Sequence, residues 1–193
     1  MIAELLRGGR DPLRDQRIRD GVEKYRTIMC IYKSATQVLR NSDFKKLYKS
    51  FYRVRRPSRW CKSYFSILDK LKKHPMTFKE ILQALYDQTG KVEASFASKM
   101  LATSNPASPV IDKWVLANLS ERLPYQYEKN RIEKVAQLYG CIVKEYRRLL
   151  ASDEGKRLVT LFDDSICLNS RITNVKKVDL ILWQTRRNPR SRG

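Results

Sequence analysis

Apolar residues recur at steps of three and four along most of this chain of 193 residues, the spacing that places side chains on one face of an α-helix. The pattern is clearest over residues 131–151. It also predicts a long helix over 15–39 and shorter helices over 156–162 and 174–187. No segment has the period of two that is typical of a strand, so the sequence predicts an all-α, multi-helix protein. In the clearest helix the apolar face consists of Ile132, Val135, Ala136, Tyr139, Ile142, Val143, Tyr146, Leu149 and Leu150.

Short sequence signals mark the ends of several predicted helices. Asn41 offers a cap for a helix that begins near Ser42. Thr77 and Glu80 have the spacing of a capping box, and Gly90 suits the left-handed residue after a helix. All four thus lie at predicted helix ends.

A helix predicted over 93–103 ends at Asn105-Pro106, and Asp112 is expected to cap the helix that follows. The helical wheel places Phe96, Ala97, Met100 and Leu101 on a buried stripe. The opposite face carries Ser95, Ser98, Lys99 and Ala102. Small residues beside one lysine leave room for a phosphate or a nucleotide, or they serve close packing against another helix while Lys99 is solvated.

Forty Lys and Arg stand against twenty Asp and Glu, which gives a formal net charge of +20. Self-repulsion of this size is tolerated when a polyanion neutralises it, and nucleic acid is the usual polyanion. A protein kept soluble by its charge, one bound to anionic lipid and a helical adaptor for an acidic protein remain open. A second basic area is predicted near the end of the chain, at Lys176, Lys177, Arg186, Arg187, Arg190 and Arg192.

The segment 52–62, which we call the basic joint, combines cations with aromatic residues. Guanidinium groups form bidentate hydrogen bonds with phosphates, and aromatic rings stack on exposed bases. The joint is therefore a candidate nucleic-acid contact, or else a solvated loop whose aromatics turn inward. Its residues of interest are Arg53, Arg55, Arg56, Arg59, Trp60 and Lys62.

Cysteine and histidine usage argues against metal and cofactor chemistry. The four cysteines are far apart and His74 is the single histidine, so no structural metal and no cofactor are expected. The cysteines lie in apolar stretches, which predicts burial and a reducing, cytoplasmic setting. No segment reaches membrane-spanning length. Asp163 and Asp164 either bind a divalent ion or, more simply, end a helix in solvent.

Residues 89–119, TGKVEASFASKMLATSNPASPVIDKWVLANL, resemble the helix-hairpin-helix (HhH-GPD-like) DNA glycosylase superfamily. The stretches FASKMLATSNPASPVIDKWV and VKKVDLILWQTR together resemble an uncharacterised bacterial branch of it. One extra residue stands between Val110 and the aspartate, and the hairpin has one glycine where the family has two. The matching positions are Gly90, Ala97, Pro109, Val110, Asp112 and Val115.

The length predicts a single all-helical unit over 1–193 or two small lobes. The resemblance implies the two-lobed form, with a hairpin lobe over about 60–123, a second lobe over 1–59 plus 124–187, and a basic tail at 188–193. Gly90, Lys91 and Ser95 would meet a DNA phosphate, and Asp112 would act at the pocket for an extruded base.

Ser95 stands where bifunctional members of the family carry their lysine. A water-using, monofunctional glycosylase acting on duplex DNA is therefore implied, with Lys99 as a substitute amine. A non-catalytic nucleic-acid binder on the same scaffold is the alternative. The oligomeric state stays open.

Overall fold

The computed structural model describes Leu13, residues 16–166 and residues 172–185. Within these ranges the chain forms helices and connecting loops, with no strand, which confirms the all-α class for them. The helices are α1 (Gln16–Ser34), α2 (Ser42–Tyr52), α3 (Ser58–Lys73), α4 (Phe78–Thr89), α5 (Ala94–Ser104), α6 (Lys113–Asn118), α7 (Arg131–Ala151), α8 (Asp153–Ile166) and α9 (Asn174–Gln184). The predicted basic tail at 188–193 lies outside the described residues.

The predicted helix ends are confirmed where a side chain caps them. Asn41 Oδ1 accepts the Phe44 amide at 2.8 Å, and Thr77 and Glu80 form both bonds of the capping box. Gly90 follows α4 with φ 67°, a conformation that glycine adopts without steric cost. These signals depend only on neighbouring residues, which explains why the sequence predicts them well.

Helix α1 ends at Ser34, earlier than the apolar pattern predicts, because α3 holds the segment that follows. The Asp69 carboxylate accepts the Val38 amide at 2.6 Å and the Leu39 amide at 3.0 Å. Lys72 donates to the carbonyls of Tyr32 and Ala35. These side chains satisfy backbone groups that a continued helix would satisfy itself.

Helix α9 lies at the centre of the packing and contacts α1, α6, α7 and α8. Its residues from Lys176 to Leu182 are all buried. The hairpin formed by α4 and α5 packs on α3, and α4 also packs on α7. The buried apolar residues form one cluster that runs from Leu13 to Leu182.

The prediction that the cysteines are buried is wrong for two of them. Cys61 is buried, and its thiol donates to the Arg56 carbonyl at 3.4 Å. Cys30 and Cys141 are exposed, because each falls on the polar side of its helix. Cys167 lies outside the described residues. No helix in the described ranges is long and apolar enough to cross a membrane.

Candidate functional site

Asp112 lies at the start of α6 and caps it, as the sequence predicts. Its Oδ1 accepts the amides of Trp114 and Val115, both at 2.8 Å. Burial raises the pKa of this carboxyl, while the two amides and the Lys99 ammonium oppose the rise. The aspartate is thus held in one orientation, in a partly dehydrated setting and within electrostatic reach of Lys99.

Lys99, on α5, is only 8% exposed. Its ammonium donates to the Tyr52 carbonyl at 3.2 Å and lies 4.9 Å from the centre of the Phe96 ring. Burial lowers the pKa of Lys99 to about 8, against the opposing effect of the Asp112 charge; the Arg53 guanidinium lowers it further. A lysine in this state is partly neutral near pH 7 to 8, unlike a solvated one.

The predicted division of α5 into a buried and an open face is wrong. Ser98 and Ala102, predicted on the open face, are fully buried, whereas Phe96 and Leu101 are only partly buried. The helix is covered on more than one side, since it packs on α3 and α4 and Ser98 Oγ also accepts the Ile111 amide at 2.8 Å. Its small residues therefore serve close packing.

The basic joint lies against the first turns of α5. Arg56 forms an ion pair with Glu93, with 2.7 Å between Nη2 and Oε1, and its guanidinium lies 5.3 Å from the centre of the Phe96 ring. Arg53 acts electrostatically on Lys99. The structure thus brings the basic joint, Lys99 and Asp112 together, although the sequence presents them as separate segments.

The cations and the aromatics of the joint face different ways. Arg55, Arg59 and Lys62 are exposed. Trp60 instead stacks on Tyr64, with ring centroids 5.0 Å apart and 17° between the planes, and its Nε1 is buried. The joint therefore presents charge to solvent and turns its aromatics inward.

The hairpin between α4 and α5 is open to solvent. Gly90 and Lys91 are exposed, and a Cβ at Gly90 would meet nothing within 4 Å. Glu93 makes no capping bond to α5, because its carboxylate forms the ion pair with Arg56. Ser95, half-buried, lies in the first turn of α5.

Two lysines of the predicted second basic area are buried, which is a correction. Lys176 donates to Asp179 Oδ2 at 2.8 Å, and both side chains are almost fully buried. Lys177 donates to Asp163 Oδ2 at 2.6 Å. The arginines from 186 onward lie outside the described residues. An opposite charge three residues after Lys176, in an otherwise apolar helix, is the sequence signal that indicates this buried pair.

Metal ligands are not assembled in the part of the chain that the structure describes. No group of three or more His, Cys, Asp or Glu side chains there could hold a metal ion. Asp163, considered above as a metal ligand, is instead the partner of Lys177.

Comparisons of the chain with models of protein families, with curated proteins and with solved structures found no match. The resemblance to helix-hairpin-helix glycosylases therefore stays a prediction from the sequence.

Proposed function

We propose that the protein binds duplex DNA and hydrolyses the N-glycosidic bond of a flipped base at Asp112, on a two-lobed scaffold like that of the helix-hairpin-helix glycosylases. The observation that carries the proposal is that Lys99 and Asp112, two desolvated groups of opposite charge, act on each other electrostatically beside Arg53, an exposed cation of the basic joint. Perturbed titratable groups gathered beside a basic surface are typical of a site that acts on a polyanion.

DNA binding is assigned to the hairpin and the basic joint. The first amides of α5 receive no bond from the Glu93 side chain, and amides at a helix N-terminus bind phosphate well. Lys91 lies beside them, and Arg56 is held near by Glu93. Exposed Arg55, Arg59 and Lys62 extend the positive surface along the backbone of the duplex.

Asp112 has the chemistry that hydrolysis requires. As the bond between C1′ and the base breaks, the sugar gains positive charge, which a carboxylate stabilises. Water then bonds to C1′, its proton passes to the carboxylate, and the departing base finally takes up that proton. The two α6 amides fix the carboxylate, so it needs little reorganisation during the reaction.

Lys99 is assigned a supporting role. Its ammonium favours the ionised form of Asp112, which is the form the reaction uses. A direct attack by its amine on C1′ would first break the bond to the Tyr52 carbonyl. The water route therefore fits the geometry better than a Schiff-base route.

The catalytic proposal is tested with duplexes that carry uracil, hypoxanthine, alkylated or oxidised bases. Asp112→Asn keeps a side-chain oxygen for the cap but loses the charge. We expect it to abolish release of the base while DNA binding and thermal stability are kept. Asp87→Asn, at an exposed position of α4, is the matched control. Product formed at the wild-type rate by Asp112→Asn would refute the assignment. Borohydride trapping of a covalent adduct would refute the water route.

DNA binding is tested separately by charge reversal. Arg55→Glu/Arg59→Glu should weaken binding and reduce its salt dependence. Lys24→Glu/Arg26→Glu, at two exposed positions of α1, makes the same change in net charge and should weaken binding less. Wild-type affinity should fall about tenfold or more between roughly 50 and 200 mM salt. An affinity that does not change with salt would exclude the proposal.

A non-catalytic nucleic-acid binder is the second candidate, and one observation favours it. Asp112 and Lys99 each have an intramolecular partner that accounts for their position. This candidate predicts salt-dependent DNA binding without product from any lesion, and no effect of Asp112→Asn on binding.

A further inference from the structure

The segment 109–112, which leads into α6, is held by side chains from three different helices. The Tyr139 hydroxyl donates to the Pro109 carbonyl at 3.1 Å, and the Ile111 amide donates to Ser98 Oγ at 2.8 Å. The Val110 amide donates to Asp179 Oδ1 at 3.3 Å. Val110 and Ile111 are fully buried, so water cannot replace these bonds and each one restricts where the segment lies.

Asp179 is the charged member of this set. Its Oδ1 also accepts the Tyr146 hydroxyl at 2.8 Å, and its Oδ2 accepts the Lys176 ammonium at 2.8 Å. Asp179 and Lys176 are each 1% exposed, and Lys176 lies 5.0 Å from the centre of the Tyr25 ring. Burial alone would lower the pKa of Lys176, but the effects of Asp179, Tyr52 and Tyr25 together outweigh it and the pKa is raised. The Lys176 ammonium is therefore held in the core as the partner of the Asp179 side chain.

A buried ion pair of this kind contributes little to stability compared with apolar residues of the same size, because both charges must be dehydrated. Packing of α9 alone would thus be served as well by two apolar side chains. Two apolar side chains would, however, leave the Val110 amide without an acceptor.

We propose that Asp179, paired with Lys176, is a positioning residue for Asp112: its bond to the Val110 amide fixes the segment 109–112, and thereby the start of α6, relative to Lys99. The part of this inference that concerns catalysis rests on the proposed function. The placement of the segment does not, since it follows from the hydrogen bonds alone.

Asp112 itself provides a readout of its own position. Burial raises its pKa; the two α6 amides and Lys99 oppose the rise, and the Asp179 charge adds to it. Lys99 in turn is affected by Arg53 and Glu93. Any variant without the Asp179 charge ends the repulsion and so lowers the pKa of Asp112. When the bond to the Val110 amide is lost as well, the segment becomes more hydrated and the pKa moves further down, toward its ordinary value.

The test compares two double variants of the protein without DNA. Lys176→Met/Asp179→Leu removes both charges and the acceptor. Lys176→Gln/Asp179→Asn removes both charges but keeps an amide oxygen for the Val110 amide. The measurements are hydrogen exchange of the Val110 amide and the carboxyl pKa of Asp112, followed by carbon NMR.

We expect the Met/Leu variant to exchange the Val110 amide at least about tenfold faster than wild type and to lower the pKa of Asp112 further than the Gln/Asn variant does. The Gln/Asn variant should keep Val110 protected. A folded Met/Leu variant whose Val110 exchange is unchanged, or whose Asp112 pKa equals that of the Gln/Asn variant, would overturn the proposal. Should Met/Leu not fold, a folded Gln/Asn variant with an unprotected Val110 amide would overturn it as well.

The outcome is separable from that of the proposed function. If a base is released at Asp112, the Met/Leu variant should form product about a hundredfold more slowly while DNA binding is kept, because a misplacement near 1 Å has an effect of this size. If wild type releases no base from any duplex, the proposed catalysis fails, but the exchange and pKa results still decide the role of Asp179.

Discussion

Replacing Lys99 by methionine tests whether the protein holds this ammonium away from water. The side chain is 8% exposed, and burial lowers its pKa from 10.5 to about 8. At about 1.4 kcal/mol per pKa unit, this difference corresponds to roughly 3 kcal/mol of stability. Methionine is similar in length and has no charge, so it removes the titration and keeps most of the packing.

The sign of the effect follows from proton binding. Below pH 8 Lys99 is protonated in both the folded and the unfolded chain, and pH has no influence through it. Between pH 8 and 10.5 the unfolded chain keeps the proton that the folded chain has lost. The unfolded state then binds more protons, so stability rises with pH. Wild type should therefore gain about 3 kcal/mol relative to Lys99→Met across this interval.

Urea unfolding at pH 7, 8, 9 and 10 measures this difference directly, because other titrating groups contribute equally to both proteins. Lys91→Met, at an exposed position, is the matched control, since a hydrated lysine produces no such trend. A difference between wild type and Lys99→Met that stays constant from pH 7 to 10 would refute the reasoning. It would mean that water reaches the ammonium and that Lys99 supplies no neutral amine near pH 8.

Substitutions at four positions test the backbone assignments, each by thermal or urea unfolding. Gly140→Ala should stabilise by about 1 kcal/mol, since a Cβ there meets nothing within 4 Å, and destabilisation would contradict this. Gly155→Ala should destabilise by about 3 kcal/mol, since its Cβ would clash with the Leu149 carbonyl oxygen, and a stable variant would contradict that. Arg53→Gly should stabilise by about 1 kcal/mol, because the backbone at Arg53 is left-handed with φ 53°. The same change should weaken DNA binding, and stronger binding would remove Arg53 from the interface. Thr77→Ala should cost about 1 kcal/mol and Thr77→Ser should not, and equal effects would show that the capping box is not formed in solution.

The helices could be predicted from the sequence because their signals are local. Helix α7 has the predicted bounds, and its apolar face needs no knowledge of a partner. Helix α1 shows the limit of this approach. Its apolar pattern continues to Leu39, but Asp69, about thirty positions away, holds the following segment outside the helix.

The candidate site could be predicted only as a set of separate residues. A helical wheel assumes one buried face, and α5 is covered on several sides, so the burial of Lys99 could not be derived from its spacing. The contact between Val110 and Asp179 joins residues 69 positions apart, and neither has a local feature that indicates the other. The tertiary packing of the helices decides these contacts.

Capping and catalysis are not competing explanations for Asp112, since both use the same bonds. A helix cap requires only an oxygen that accepts amide hydrogens, and asparagine supplies one as well as aspartate does. Stabilising a positively charged sugar requires a negative charge as well. Lys99 and Asp179 both act on this charge: Lys99 lowers the pKa of Asp112 and Asp179 raises it. The cap alone would be served by asparagine as well. If the proposed function holds, the charge of Asp112, rather than its place in the fold, is the property that the reaction uses.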